Sequence, residues 1–112
     1  MFPTGCLVGE CSLLSSFGPM MPARTREFFD AGRSRKFDRL FRLQAEYLAA
    51  VADIQRPAQG TDKIDGAYDK MWARLGGAPM PLRLLSPYEP FSEEVFEQCR
   101  EILHGKYPDW MR

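Results

Sequence analysis

The chain is poor in the residues that build catalytic sites. Its 112 residues include one histidine, and no glycine-rich phosphate loop or dinucleotide fingerprint is present. His104 falls in the last turn of a predicted helix, where an imidazolium beside exposed carbonyls needs no catalytic explanation. No serine or cysteine has the sequence surroundings of an activated nucleophile. We therefore predict no catalytic residues and no cofactor, and an enzyme is the less favoured class.

Cysteine is also scarce. Cys6, Cys11 and Cys99 are too few, and odd in number, for a disulfide scaffold, so a reducing, cytoplasmic compartment is expected. With His104 they make four candidate zinc ligands, but their spacing is wider than in ordinary zinc sites. Cys99 lies within an apolar helix stripe, where a thiol behaves as a small apolar group. Glu101 and His104 match half of a di-iron motif, and such a site needs two halves. No metal site is predicted.

Net charge and long apolar runs are likewise missing. The 15 basic and 15 acidic residues balance, which disfavours a uniformly basic nucleic-acid binder and leaves local patches open. No apolar stretch approaches the ~18 residues that span a bilayer, so no membrane interaction is predicted. Apolar residues make up 45% of the chain, which is ordinary for a globular domain.

The first 20 residues show neither helical nor strand periodicity. Their mildly apolar stretch lacks a positively charged start, and Glu10 and several glycines interrupt it, which disfavours a signal peptide. Met20 and Met21 stand just before the first basic residues, and either fits as a start of the chain. We predict that residues 1–20 are an irregular, dispensable segment and that 21–112 form a single helical domain.

The remaining pattern predicts an all-α fold, a small bundle of three to four helices. Cap residues, proline and glycine mark the helix ends, and apolar residues recur every three to four positions between them. The predicted helices are 23–31, 34–55, 61–75 and 92–104. Prolines exclude a helix from 77–91. We expect this segment to be an extended arm across the bundle that covers Leu82, Leu84 and Leu85.

The long helix has the clearest pattern. Gly32 ends the helix before it, and Ser34 is its predicted N-cap. At 100° per residue its large apolar residues occupy one arc of roughly 140°. We expect the arc to face the core with Phe37, Leu40, Phe41, Tyr47, Leu48, Val51 and Ile54.

Gln44 falls near the middle of that apolar arc. A buried amide without partners costs about 1–3 kcal/mol, so its presence calls for a role. Two alternatives are open. Gln44 either sets the register of a helix pair, as polar core residues do in coiled coils, or forms a hydrogen bond with the backbone of the arm.

Charge is distributed unevenly between two helices. Segment 24–42 has a basic surplus of four, and the predicted binding residues in it are Arg33, Arg35, Lys36, Arg39 and Arg42. Several of these fall in the first turns of the long helix, where the helix dipole favours acids instead. The last helix repeats a glutamate every four residues, at Glu93, Glu97 and Glu101. Either both faces are simply solvated, or they meet across an interface.

These features favour a non-catalytic protein that acts through its surface. The first hypothesis is an accessory or adaptor protein that binds a protein partner, or a second copy of itself, through charged helix faces; salt would weaken such a complex. The second is binding of nucleic acid or another anion through 24–42, which predicts retention on heparin. The third is a small accessory subunit of an enzyme complex.

Overall fold

The structure, a computed structural model, describes residues 1–111. Within them it contains five α-helices, three single-turn 3₁₀ segments and no strand, so the predicted all-α bundle is confirmed. The helices are α1 (Phe2–Val8), α2 (Pro22–Arg33), α3 (Phe37–Ile54), α4 (Asp65–Leu75) and α5 (Glu93–Lys106). The 3₁₀ turns are Gly18–Met20, Arg56–Ala58 and Pro108–Met111.

Tyr47 of α3 joins four parts of the chain in the core. Its ring lies against those of Phe17, Phe28 and Trp110, with centroid separations of 6.3, 5.1 and 5.4 Å. Its hydroxyl donates a hydrogen bond to the carbonyl of Arg24 in α2, and burial raises the pKa of the phenol. The segment before α2, α2 itself, α3 and the C-terminal 3₁₀ turn therefore share one aromatic cluster.

The first 20 residues belong to the same core. α1 packs against α2 and α3, where the Phe2 ring lies 5.3 Å from that of Phe28. The turn before α2 packs against the end of α4, where a Cβ on Gly76 would lie 2.1 Å from the Pro19 carbonyl oxygen. The prediction that this segment is irregular is therefore wrong for α1 and for the 3₁₀ turn before α2. That it is dispensable remains a prediction.

The boundary between α2 and α3 lies later in the chain than predicted. α2 continues through Gly32 to Arg33, and Ser34 is its C-cap rather than the N-cap of the long helix. α3 begins at Phe37. Residues 34–36, which were predicted to form the first turn of the long helix, are therefore a connection. Arg35 and Lys36 lie before α3 rather than in its first turn, where the helix dipole was expected to act on them.

A Schellman motif closes this connection. The Lys36 amide donates to the Ala31 carbonyl at 3.0 Å, and the Arg35 amide donates to the Gly32 carbonyl at 3.1 Å. Arg35 has a φ of 53°, a left-handed conformation that costs a non-glycine residue about 1 kcal/mol. α4 ends on the same motif with Gly77 at a φ of 93°, as the glycine stop predicted. At the end of α2 an arginine occupies the position that favours glycine.

The last two helices follow the prediction with shifted ends. α4 begins at Asp65 rather than at 61, and Asp62, with a φ of 49°, lies outside it in a left-handed conformation. The Ser92 hydroxyl accepts a hydrogen bond from the Val95 amide at 3.2 Å, which confirms it as the N-cap of α5. α5 then runs beyond the predicted end at 104, to Lys106.

The segment 77–91 crosses the helices without regular secondary structure of its own. Leu82 is buried in the core and Leu84 is half-buried against it. The ring of Phe91 meets that of Tyr68 in α4 edge to face at 4.9 Å. Leu85 is 82% exposed, so the expectation that the arm covers all three leucines is wrong for Leu85.

Candidate binding surface

The buried side of α3 is narrower than the apolar arc of the helix. Phe41 and Leu48, which were expected in the core, are 40% and 61% exposed. The buried side is rotated by about 70° from the centre of the arc, at 100° per residue. It consists of Leu40, Leu43, Tyr47, Ala50 and Ile54. α3 thus packs through one edge of its apolar arc and leaves the other edge at the surface.

The uncovered edge has the spacing of a coiled-coil seam. We call it the α3 stripe; it consists of the exposed residues Phe41, Ala45, Leu48 and Ala52. Intervals of four, three and four residues place these side chains along one line of the helix, as at the a and d positions of a heptad. The stripe carries no charge, and large and small side chains alternate along it.

A small groove runs beside the α3 stripe, between α3 and the N-terminal segment. It encloses about 160 Å³, and its lining includes Leu14, Gln44 and Leu48. Leu14 is 98% exposed, so it extends the apolar surface across the groove. The Gln44 side chain is half-buried and forms no hydrogen bond within residues 1–111. The predicted bond to the arm is therefore wrong, and a register role remains a prediction.

Three of the predicted basic residues lie at the start of α3 or just before it. Arg39 pairs with Glu27 of α2, with 2.5 Å between Nη2 and Oε1. Lys36 and Arg42 are exposed, and neither has an acidic partner in the part of the chain that the structure describes. Of the three, Lys36 and Arg42 are the side chains available to a ligand.

The other two arginines line a cavity of about 660 Å³ beside α1 and α2. The Arg35 Nη1 donates to the Cys6 carbonyl at 3.4 Å, and the guanidinium lies 5.1 Å from the ring centre of Phe37. Arg33 lines the same cavity. Cys6 and Cys11 also line it, and their Sγ atoms are 3.4 Å apart.

The predicted glutamate stripe of α5 is partly engaged within the chain. The Glu93 carboxylate accepts a hydrogen bond from Arg74 of α4 at 2.8 Å, which holds the pKa of Glu93 below its usual range. Glu97 pairs with Arg100 one turn later. Glu101 is exposed and has no basic partner within residues 1–111. The acidic and basic faces do not pair with each other in the described part of the chain.

Residues 1–111 contain neither a cluster of candidate metal ligands nor a membrane-spanning helix. Cys99 is fully buried in α5, and no group of three or more histidine, cysteine or acidic residues in this range could hold a metal ion. None of the helices described is both long and apolar enough to cross a membrane. No protein family, curated protein or solved structure matches this chain.

The sequence holds a partial signal for the α3 stripe and for the cavity beside α1 and α2, but it predicts neither. The heptad spacing of the α3 stripe is visible in the sequence, but Phe41 and Leu48 were assigned to the core. The five-residue separation of Cys6 and Cys11 fits no ordinary metal site and gives no other signal. That the two thiols meet beside Arg35 depends on how α1 packs, which spacing does not encode.

Proposed function

We propose that this is a non-catalytic interaction protein that self-associates, with the α3 stripe of one copy docked on the α3 stripe of another. The supporting observation is that four heptad-spaced apolar residues are exposed on a helix whose other apolar edge is buried. Exposed apolar patches mark interaction surfaces. A line of heptad-spaced side chains fits another helix.

An antiparallel arrangement of two copies matches large side chains with small ones. With a twofold axis between positions 46 and 47, Phe41 faces Ala52 of the other copy and Ala45 faces Leu48. A parallel pair would place phenylalanine against phenylalanine and alanine against alanine, which overpacks one layer and leaves a void in the next. Because the antiparallel contact uses the same patch on both copies, it closes as a dimer.

The surroundings of the α3 stripe fit a second copy but indicate weak binding. The chain has no net charge, so two copies do not repel each other. Leu14 adds apolar surface beside the stripe. α3 is about 27 Å long at 1.5 Å per residue, and one helix of that length buries less than the roughly 800 Å² per partner of a standard interface. We expect a dissociation constant on the order of 10 µM.

Sedimentation velocity over a concentration series around that value tests the proposal. The wild-type chain should change from monomer to dimer, and Leu48→Lys should stay monomeric, because docking would bury an unpaired ammonium. Leu85→Lys is the matched control, since Leu85 is an exposed leucine in the arm. It should dimerise like the wild type. A wild-type chain that stays monomeric at every concentration contradicts the proposal.

A mixing experiment tests the antiparallel register. Ala45→Glu and Leu48→Lys should each be monomeric alone, because each introduces a charge opposite an apolar side chain. Mixed together they should form a heterodimer, in which the introduced carboxylate faces the introduced ammonium. In a parallel pair the same two groups would not be opposite each other, and mixing would restore nothing.

The salt dependence of dimerisation distinguishes docking through the α3 stripe from docking through the charged helix faces. Apolar docking should not weaken between low and high salt, whereas exposed charge pairs are screened. A dimer that dissociates with salt, and that Leu48→Lys leaves intact, would favour an interface between the basic segment and the α5 glutamates. Lys36, Arg42 and Glu101 would then be its available charges.

Binding of nucleic acid or another anion through 24–42 is a second candidate. The observation in its favour is that Lys36 and Arg42 are exposed without an acidic partner in the described part of the chain. Lys36→Glu combined with Arg42→Glu should abolish retention on heparin at low salt. If the wild-type chain passes through heparin unretained, this candidate is excluded.

A further inference from the structure

Cys6 and Cys11 form a thiol pair at the edge of the cavity that Arg33 and Arg35 line. Their Sγ atoms are 3.4 Å apart, and both are free thiols. Cys6 is only 4% exposed, whereas Cys11 is half-buried. Burial and the neighbouring Cys11 raise the pKa of Cys6. A reagent in the cavity therefore reaches Cys11 first, and Cys6 lies directly behind it.

Two glycines let the thiols approach each other. A Cβ on Gly5 of α1 would lie 3.0 Å from the Cys11 Sγ. A Cβ on Gly32 of α2 would lie 3.0 Å from the Cys6 Sγ and 2.6 Å from the Phe2 ring. Any larger residue at either position would push against one of the thiols. The thiol pair thus depends on the close packing of α1 against α2.

The charge around the thiol pair favours an anionic reactant. Arg33 and Arg35 line the cavity together with a single acid, Glu10. The Arg35 guanidinium donates a hydrogen bond to the backbone carbonyl of Cys6, which places its positive charge beside the thiol pair.

We propose that this cavity is a thiol–disulfide exchange site for an anionic low-molecular-weight disulfide of the glutathione disulfide class. The Cys11 thiolate attacks one sulfur of that disulfide, a mixed disulfide forms on Cys11, and one glutathione leaves as a thiolate. The Cys6 thiolate then attacks the Cys11 Sγ, which forms the Cys6–Cys11 bond and releases the second glutathione. The protein is oxidised, the incoming disulfide is reduced, and the two protons of the protein thiols pass to the leaving thiolates.

Intact-protein mass spectrometry after incubation with glutathione disulfide tests the exchange. The wild-type chain should lose two hydrogens, and proteolysis should recover Cys6 linked to Cys11. Cys99 is the internal control, because burial raises its pKa to about 11, and it should remain a free thiol. Absence of the Cys6–Cys11 link, or a link through Cys99, overturns the proposal.

Two variants test the order of the steps. Cys6→Ala removes the second thiol, so one glutathionyl group should accumulate on Cys11. Cys11→Ala leaves the buried thiol of Cys6 as the one cysteine at the cavity, and it should stay unmodified. Reaction of Cys6 in that variant at the wild-type rate would overturn the assignment of Cys11 as the first nucleophile.

A charge variant tests whether the cavity recognises the anion. Arg35→Gln should slow the reaction with glutathione disulfide by about tenfold at low ionic strength and leave the reaction with neutral hydroxyethyl disulfide unchanged. Arg83→Gln, at an exposed arginine of the arm, is the matched control and should react like the wild type. Equal slowing with both reagents would mean that Arg35 only holds the structure, and recognition of the anion would be refuted.

Discussion

Replacing Gly76 by alanine probes the contact between α4 and the N-terminal segment. A Cβ at this position would lie 2.1 Å from the Pro19 carbonyl oxygen and 2.9 Å from the Met20 Cα. Both are backbone atoms, so neither can rotate away as a side chain would. Gly76 has a φ of −77° and a ψ of 2°, which alanine adopts without strain. The whole cost of Gly76→Ala therefore arises from this contact.

The expected loss of stability is large for a single methyl group. Overpacking typically costs about 1–3 kcal/mol, and we expect about 3 kcal/mol because two backbone segments must separate. Without the contact, the same substitution would be neutral or would gain about 0.5 kcal/mol by restricting the unfolded chain. In a domain of this size, a loss of 3 kcal/mol lowers the melting midpoint by roughly 12 °C.

Thermal unfolding followed by circular dichroism measures the effect. The matched control is Gly66→Ala near the start of α4, where the added Cβ would lie 3.7 Å from the nearest atom, on Ile64. That variant should gain about 0.5–1 kcal/mol, the difference in helix propensity between glycine and alanine. An unchanged midpoint for Gly76→Ala would refute the packing of Pro19 on α4. It would also support the prediction that residues 1–20 are dispensable.

Three further changes test other parts of the structure. Arg35→Gly should leave the free energy of unfolding unchanged or raise it by up to about 1 kcal/mol by relieving left-handed strain; a clear loss in denaturant unfolding would contradict this. Tyr47→Phe should cost about 1 kcal/mol, because it removes a hydrogen bond to α2; an unchanged midpoint would count against that bond. The Lys106 ammonium holds the pKa of Asp53 below its ordinary value, so the carboxylate stabilises the fold at neutral pH. That contribution should be lost as the pH falls below about 4, and Asp53→Asn should remove this part of the pH dependence.

The sequence predicts a helix end correctly where a single capping residue of a characteristic type determines it. Ser92 marks the start of α5 and Gly77 the end of α4, because capping depends on local hydrogen bonds and local φ. The start of α3 was not predictable in this way. Ser34 fits an N-cap by type, and only the left-handed backbone of Arg35 shows that the chain is still ending α2 there. An arginine gives no signal for a conformation that usually selects glycine.

The residues of the candidate surface were visible in the sequence, but their exposure was not. A helical wheel shows the apolar arc of α3 without showing which edge its neighbours cover. The ring of Tyr47 points at Phe28 and Trp110, and with Tyr47 on the buried side, Phe41 and Leu48 point to solvent. Tertiary contacts determine which edge of the arc is buried, and the periodicity of the sequence contains no information about those contacts.

The position of Trp110 has a consequence for spectroscopy. The chain has two tryptophans, and Trp72→Phe would leave Trp110 as the single indole emitter. Its ring lies 5.4 Å from that of Tyr47 and 5.2 Å from the guanidinium carbon of Arg24. Emission from that variant would report when the C-terminal turn leaves the core, whereas ellipticity reports the helices. Comparing the two signals during unfolding would reveal whether this end of the chain frays first or unfolds together with the rest.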